Sequence, residues 1–166
     1  MTNPYVDTND RPVRPPAHAH SEHAPGRQLP VVAAVAVGGG IGACARYGIE
    51  RAWPTSGTEF PWPILTVNGV GCLAMGALMT VLTARFPGAK RMAGAFLGTG
   101  LLGGFTTFSH YADNFRVLIR GEAYGFAFGY LFLTIVVALA GVTIGVFTAR
   151  AAVGTPAHQK ASADAH

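Results

Sequence analysis

Long apolar stretches separated by short polar punctuation set the pattern of this chain. No charged side chain falls in residues 29–45 before Arg46, in 60–84 before Arg85, in 92–112 between Arg91 and Asp113, or in 123–149 before Arg150. At about 1.5 Å per residue, helices over these stretches can cross a hydrocarbon core of about 30 Å. The pattern predicts four membrane helices, at about 29–49, 62–84, 92–119 and 123–149. The expected organisation is a proline- and histidine-rich disordered tail over residues 1–28, a four-span transmembrane domain over 29–150, and a disordered tail over 151–166. Trp53 and Trp62 bracket the first loop, as an interfacial aromatic belt does.

The third span departs from a plain membrane helix. Its centre reads GTGLLGGFTTFSHY over residues 98–111. The pair Gly103-Gly104 followed by Thr106-Thr107 weakens a helix at mid-membrane depth. Broken backbone is tolerated there only when buried in protein or facing a wet cavity. The sequence therefore predicts a helix interrupted to expose carbonyl and hydroxyl oxygens to an ion or its path.

Composition sharpens this picture. Half of the 166 residues are hydrophobic and only 12% are charged, against roughly 25% in a soluble domain. The basic residues punctuate apolar runs instead of forming an aromatic-laced patch, so nucleic acid is not an expected partner. Arg11, Arg14, Arg27, Arg85, Lys90, Arg91, Arg150 and Lys160 fall on the side of the termini, and Arg46, Arg51, Arg116 and Arg120 on the other. That bias favours cytoplasmic termini in the plasma (inner) membrane. Cys44 and Cys72 sit inside apolar runs and read as small buried side chains. His18, His20 and His23 read as part of a polar tail, with weak transition-metal binding as the alternative.

Enzymatic readings fail on context. Gly98, Gly100 and Gly103 match a dinucleotide spacing, but they lie in a charge-free span with no preceding strand. Ser109, His110 and Asp113 cannot converge as a triad from one helix. There are no paired carboxylates, and no acid lies deep in a span, which argues against proton-driven pumping and for passive conduction. An anion crossing here would need hydroxyls, the Asn68 amide and the electropositive edge of a ring such as Phe108. Asn68 either bonds a neighbouring helix or lines the path. Arg46 either snorkels to the interface or turns inward to a vestibule mouth or helix end. Tyr130 and Thr134 recur at helical spacing and form a short polar track with Ala138.

The segments GGGIGACARY (38–47), TVNGVGCLAMG (66–76) and GTGLLGGFTTFSHY (98–111) resemble the signature segments of the Fluc (CrcB-type) fluoride channels. The resemblance covers about residues 30–150. It implies an antiparallel, dual-topology dimer of four-span subunits in the lipid bilayer, with two narrow pores that pass fluoride out of the cell. It implies a structural sodium ion at the dimer axis, held by the backbone carbonyls of Gly103 and Thr106 from both subunits. It also implies a pore lined by Thr66, Asn68, Phe108 and Ser109, with Tyr130 and Thr134 as the polar track and Arg46 at the end of the first helix. Two positions depart from the family pattern TTFSTF: His110 replaces a small hydroxyl, and Tyr111 stands where the second phenylalanine ring of the pore would be. A tyrosine still presents a ring edge, but its hydroxyl needs a partner. The departures keep open a homodimer, a heterodimer with a paralogous subunit, and a non-conducting or partner-dependent subunit of such a heterodimer. A proton-driven transporter would have His110 as its only relay residue.

Overall fold

The computed structural model describes residues 28–86 and 90–154. Among them the chain is all-helical: α1 (Leu29–Ala52), α2 (Trp62–Arg85), α3 (Lys90–Ala93), a π-helical stretch (Gly94–Leu102), α4 (Gly103–Phe105), α5 (Ser109–Arg120) and α6 (Tyr124–Val153). Residues 1–27, with His18, His20 and His23, lie outside the described residues, as do 87–89 and 155–166.

Local signals explain the boundaries. Proline occupies the first turn of both α1 and α2, where its missing N–H leaves no helical bond unmade. Arg51 and Arg85 stand in their last turns, favourably placed against the C-terminal end of the helix dipole. α6 runs on to Val153, so residues 151–153 are helical instead of part of a tail. No breaker intervenes before Gly154, which ends the helix at φ +75°.

α1, α2 and α6 are each long and apolar enough to cross a membrane. Their burial is the reverse of a soluble protein's. Val32, Val37 and Ile41 on α1, and Phe128, Phe132 and Leu139 on α6, are exposed. The buried positions include Gly38, Gly42, Gly69, Gly76, Gly141 and Gly145, with Asn68 and Thr134 as buried polar side chains. An apolar outside around a small-residue inside is the pattern of a multi-pass membrane protein, where helices associate by close van der Waals packing.

Those glycines are used within the subunit. A Cβ on Gly42 would land on the Leu101 carbonyl oxygen, and one on Gly145 on that of Leu73. Gly38 faces the Phe96 and Leu101 backbone in the same way, and Gly76 faces Val142. The pairings advance together along both partners, so α2 runs parallel to α6, and α1 runs parallel to the π-helical stretch and α4. α5 runs antiparallel to α6, as Tyr111 bonding Leu131 and Phe115 stacking on Phe128 require.

The third segment is broken as expected, at the Thr106-Thr107 pair and not at the glycine pair before it. Gly103 and Gly104 are helical, and the chain leaves the helix at Thr106, whose ψ of 157° is extended. Gly104 is glycine for a packing reason: its Cβ would strike the Gly39 carbonyl. Gly103, by contrast, has room for a side chain within this subunit. The π-helical stretch ahead of the break was not foreseen; wide helical turns of this kind are frequent at functional sites.

Gly42→Ala and Gly145→Ala should each cost about 1–3 kcal/mol, because backbone must shift to admit the methyl group. Gly129→Ala, with open space around it, should be neutral or stabilise by up to about 1 kcal/mol. Unfolding of the detergent-solubilised protein measures the contrast.

Candidate functional site

The break leaves backbone groups without helical partners, and one side chain takes them up. Thr107 N–H donates to Asn68 Oδ1 at 2.8 Å, and Asn68 Nδ2 donates to the Thr107 carbonyl at 3.0 Å. Asn68 is buried on α2 and pairs with both backbone groups of one residue, as a strand neighbour would. Thr106 stays tied to the preceding turn, its N–H and its Oγ1 each 3.0 Å from the Leu102 carbonyl. On the far side, Thr107 Oγ1 accepts from His110 N–H at 3.3 Å and lies 3.1 Å from Ser109 Oγ, which starts α5.

The carbonyls of Gly103 and Thr106 are among those this pattern frees. The helical partner of the Gly103 carbonyl would be the Thr107 N–H, which Asn68 has taken. The N–H that would bond the Thr106 carbonyl, that of His110, goes to the Thr107 hydroxyl. Among the described residues no backbone hydrogen bond replaces either. Both residues line one cleft of about 380 Å³. Neutral carbonyl oxygens with no carboxylate beside them suit a hard, singly charged cation.

The same cleft collects Asn68, Phe108, Tyr111 and Thr134, with Cys72 one turn beyond Asn68 on its face of α2. Phe108 is 78% exposed, the most exposed large apolar side chain of the described residues. Its ring lies 5.6 Å from that of Tyr111, which in turn lies 5.2 Å from Tyr130. The Tyr111 hydroxyl donates to the Leu131 carbonyl at 3.0 Å, so the partner it needs is found on α6. Thr134 Oγ1 donates to the Tyr130 carbonyl of its own helix at 2.8 Å, which leaves the oxygen able to accept a further bond.

Other expected residues stand apart from the cleft. Thr66 is exposed on α2, since two residues along a helix from Asn68 is nearly the opposite face. Tyr130 is completely buried behind Tyr111 and Phe60, and among the described residues its hydroxyl has no hydrogen-bond partner. Ser109 is exposed beside the cleft, its hydroxyl engaged by Thr107. Arg46 belongs to a different group. Its Nη1 donates to Glu50 Oε1 at 3.1 Å and lies 3.0 Å from His110 Nδ1, which ties the end of α1 to the start of α5. The backbone of Thr107, Cys72 and the Glu50–His110 contact were missed by sequence reading. Cys72 could have been found from its spacing of four after Asn68; Glu50 and His110 are too far apart in sequence to signal each other.

The chain matches the family model described as "CrcB-like protein, Camphor Resistance (CrcB)" over residues 33–146. It belongs to this family. The match spans α1 to α6 and includes the whole break. A relative named "Fluoride-specific ion channel FluC 1" from Streptomyces coelicolor is 46% identical over 123 residues, 74% of this chain and 79% of that protein. "Fluoride-specific ion channel FluC 2" from Streptomyces avermitilis is 45% identical over 139 residues, covering 81% and 85% of the two chains. A protein of the same name from Nocardia farcinica is 44% identical over 135 residues, covering 79% and 96%.

Asn68→Leu should destabilise the protein by about 2–6 kcal/mol, since it orphans two backbone groups at about 1–3 kcal/mol each. Asn68→Asp should destabilise it too, because a carboxylate cannot donate to the Thr107 carbonyl. Unfolding in detergent measures both; stability equal to the parent would show that the pairing contributes nothing.

Proposed function

We propose that this chain is a subunit of a fluoride-selective, passive channel that lets cytoplasmic fluoride leave the cell. The reading is carried by the family match, whose curated relatives are named fluoride-specific ion channels and align across the helices that hold the break. The family members so named are channels and not enzymes. In this reading the third segment is a fourth crossing. Its parallel alignment with α1, and that of α2 with α6, agrees with directions that alternate along the chain. The plasma membrane, with cytoplasmic termini or dual orientation, is the setting.

One subunit offers only half a channel. Phe108 projects from the break with most of its ring uncovered. A second, antiparallel subunit would cover it and place its edge against a polar face such as Thr134 and Asn68. The carbonyls of Gly103 and Thr106 would meet their counterparts there and hold a sodium ion, which supplies fixed positive charge at the dimer axis and is not transported. Thr66, Ser109 and Tyr130 belong to the same path by family position. Ser109 offers a hydroxyl beside the break, while Thr66 would need the partner's surface to reach it.

A second reading is a partner-dependent subunit. It is favoured by Tyr111, whose hydroxyl is bound to the Leu131 carbonyl and holds the ring back against α6. A paralogous subunit with the usual ring would then complete the pore.

Purified protein in liposomes should release fluoride, read with a fluoride electrode, and should exclude chloride. No release, alone or with a paralogous subunit, overturns the proposal. Phe108→Ile should slow release about tenfold, what losing an edge contact of about 1.4 kcal/mol does. Exchange of sodium for a bulky organic cation should lower the dimer's melting temperature; an unchanged melting temperature would remove sodium from the structure.

A further inference from the structure

A group of charges beside the break is left unused by the pathway above. Arg46 and Glu50 lie one turn apart near the end of α1, and His110 reaches them from the second position of α5. Glu50 Oε1 is 3.1 Å from Arg46 Nη1 and 2.8 Å from His110 Nδ1. The same Nδ1 is 3.0 Å from Arg46 Nη1, and Arg46 Nε is buried with no partner.

One ring nitrogen therefore faces a donor and an acceptor at once. It accepts from the guanidinium only when bare, and donates to the carboxylate only when it carries a proton. With Nδ1 bare and the ring neutral, Glu50 balances Arg46 and the group has no net charge. With the ring doubly protonated, His110 donates to Glu50 and repels Arg46, and the group carries one positive charge. Histidine is the side chain whose charge changes near neutral pH.

The surroundings do not cancel that added charge. Glu50 and His110 line a cavity of about 310 Å³, with Tyr47 and Arg51 of α1 and Asp113 and Asn114 of α5. Asp113 is already paired with Arg116 through its Nε at 3.1 Å. α2 contributes Pro63 and Ile64, and the loop between α1 and α2 contributes Trp53, Pro54 and Thr55, none of them ionisable.

We propose that this cavity opens toward the fluoride path as its mouth, and that His110 and Glu50 set its charge and the position of the neighbouring Arg46, so that a proton on His110 speeds the passage of fluoride. The inference rests on the reading of this chain as a fluoride channel. Protonation draws Glu50 toward the imidazolium and releases the guanidinium to attract anions to the mouth. His110 and Glu50 are positioning residues here; neither touches the ion in the narrow path.

Fluoride release from liposomes holding the full chain, corrected for protein-free vesicles, tests this. Release should rise severalfold from alkaline to mildly acidic solution, the direction expected when one positive charge is added where an anion enters. His110→Thr and His110→Asn should both flatten the profile near its alkaline value. Glu50→Gln should raise release at about pH 8, a gain that misfolding cannot mimic. Release that is present but flat in the parent, or whose rise survives in a folded His110 variant, overturns the inference and leaves the channel standing. No release at any pH overturns the channel reading, and the inference with it.

Discussion

The structure depends on one amide. A helix cannot be opened in a low-dielectric setting unless the backbone groups it releases are paired again. Asn68 does this with a single side chain, its oxygen on the Thr107 N–H and its nitrogen on the Thr107 carbonyl. No hydroxyl could do the same, because one oxygen cannot span both backbone groups of a residue. A charged group would bring its own desolvation cost to a buried site. By taking the Thr107 N–H, the amide also removes the helical partner of the Gly103 carbonyl. The side chain that stabilises the break thus leaves a free carbonyl oxygen beside it.

Asn68 can reach Thr107 only because α2 comes unusually close to the broken segment. Gly71 faces the Thr106 methyl so closely that a Cβ there would collide with it, and Gly69 faces Val137 of α6 in the same way. One turn of α2 thus carries the amide between two glycine contacts, one to each neighbour. On the other side, Gly38 and Gly42 bring α1 against the π-helical stretch, and Gly39 receives Gly104. The break is held by backbone in contact with backbone, which has few soft degrees of freedom. Such packing sets positions more tightly than long apolar side chains would, and a narrow ion path requires that tolerance.

Much of this was legible in the sequence. Charge-free runs located α1, α2 and α6 to within a few residues, because span length is set by the bilayer. The family and the break were legible from three glycine-rich segments. The exact site of the break was not. Helix propensity marked both Gly103-Gly104 and Thr106-Thr107; tertiary contact keeps the glycines helical and leaves the opening at Thr106–Phe108, where Asn68 waits. Propensity also could not show that Thr66 and Asn68, so close in sequence, face apart, or that Tyr130 is sealed behind other rings. The Glu50–His110 contact was invisible for a plainer reason: nothing in a single sequence relates residues on α1 and α5 that meet only after folding.

The two departures from the family motif look like defects when read as letters. In the fold, each polar group has found a partner on a different element. His110 binds Glu50 on α1, and the Tyr111 hydroxyl binds the Leu131 carbonyl on α6. The first turn of α5 is therefore tied to helices on two sides, where a small hydroxyl and a phenylalanine would reach neither group. A tie of this kind restricts the half-helix that follows the break, and with it the direction in which Phe108 points. Neighbouring substitutions thus divide the work, one tying the first turn of α5 to α6 and the other tying it to α1.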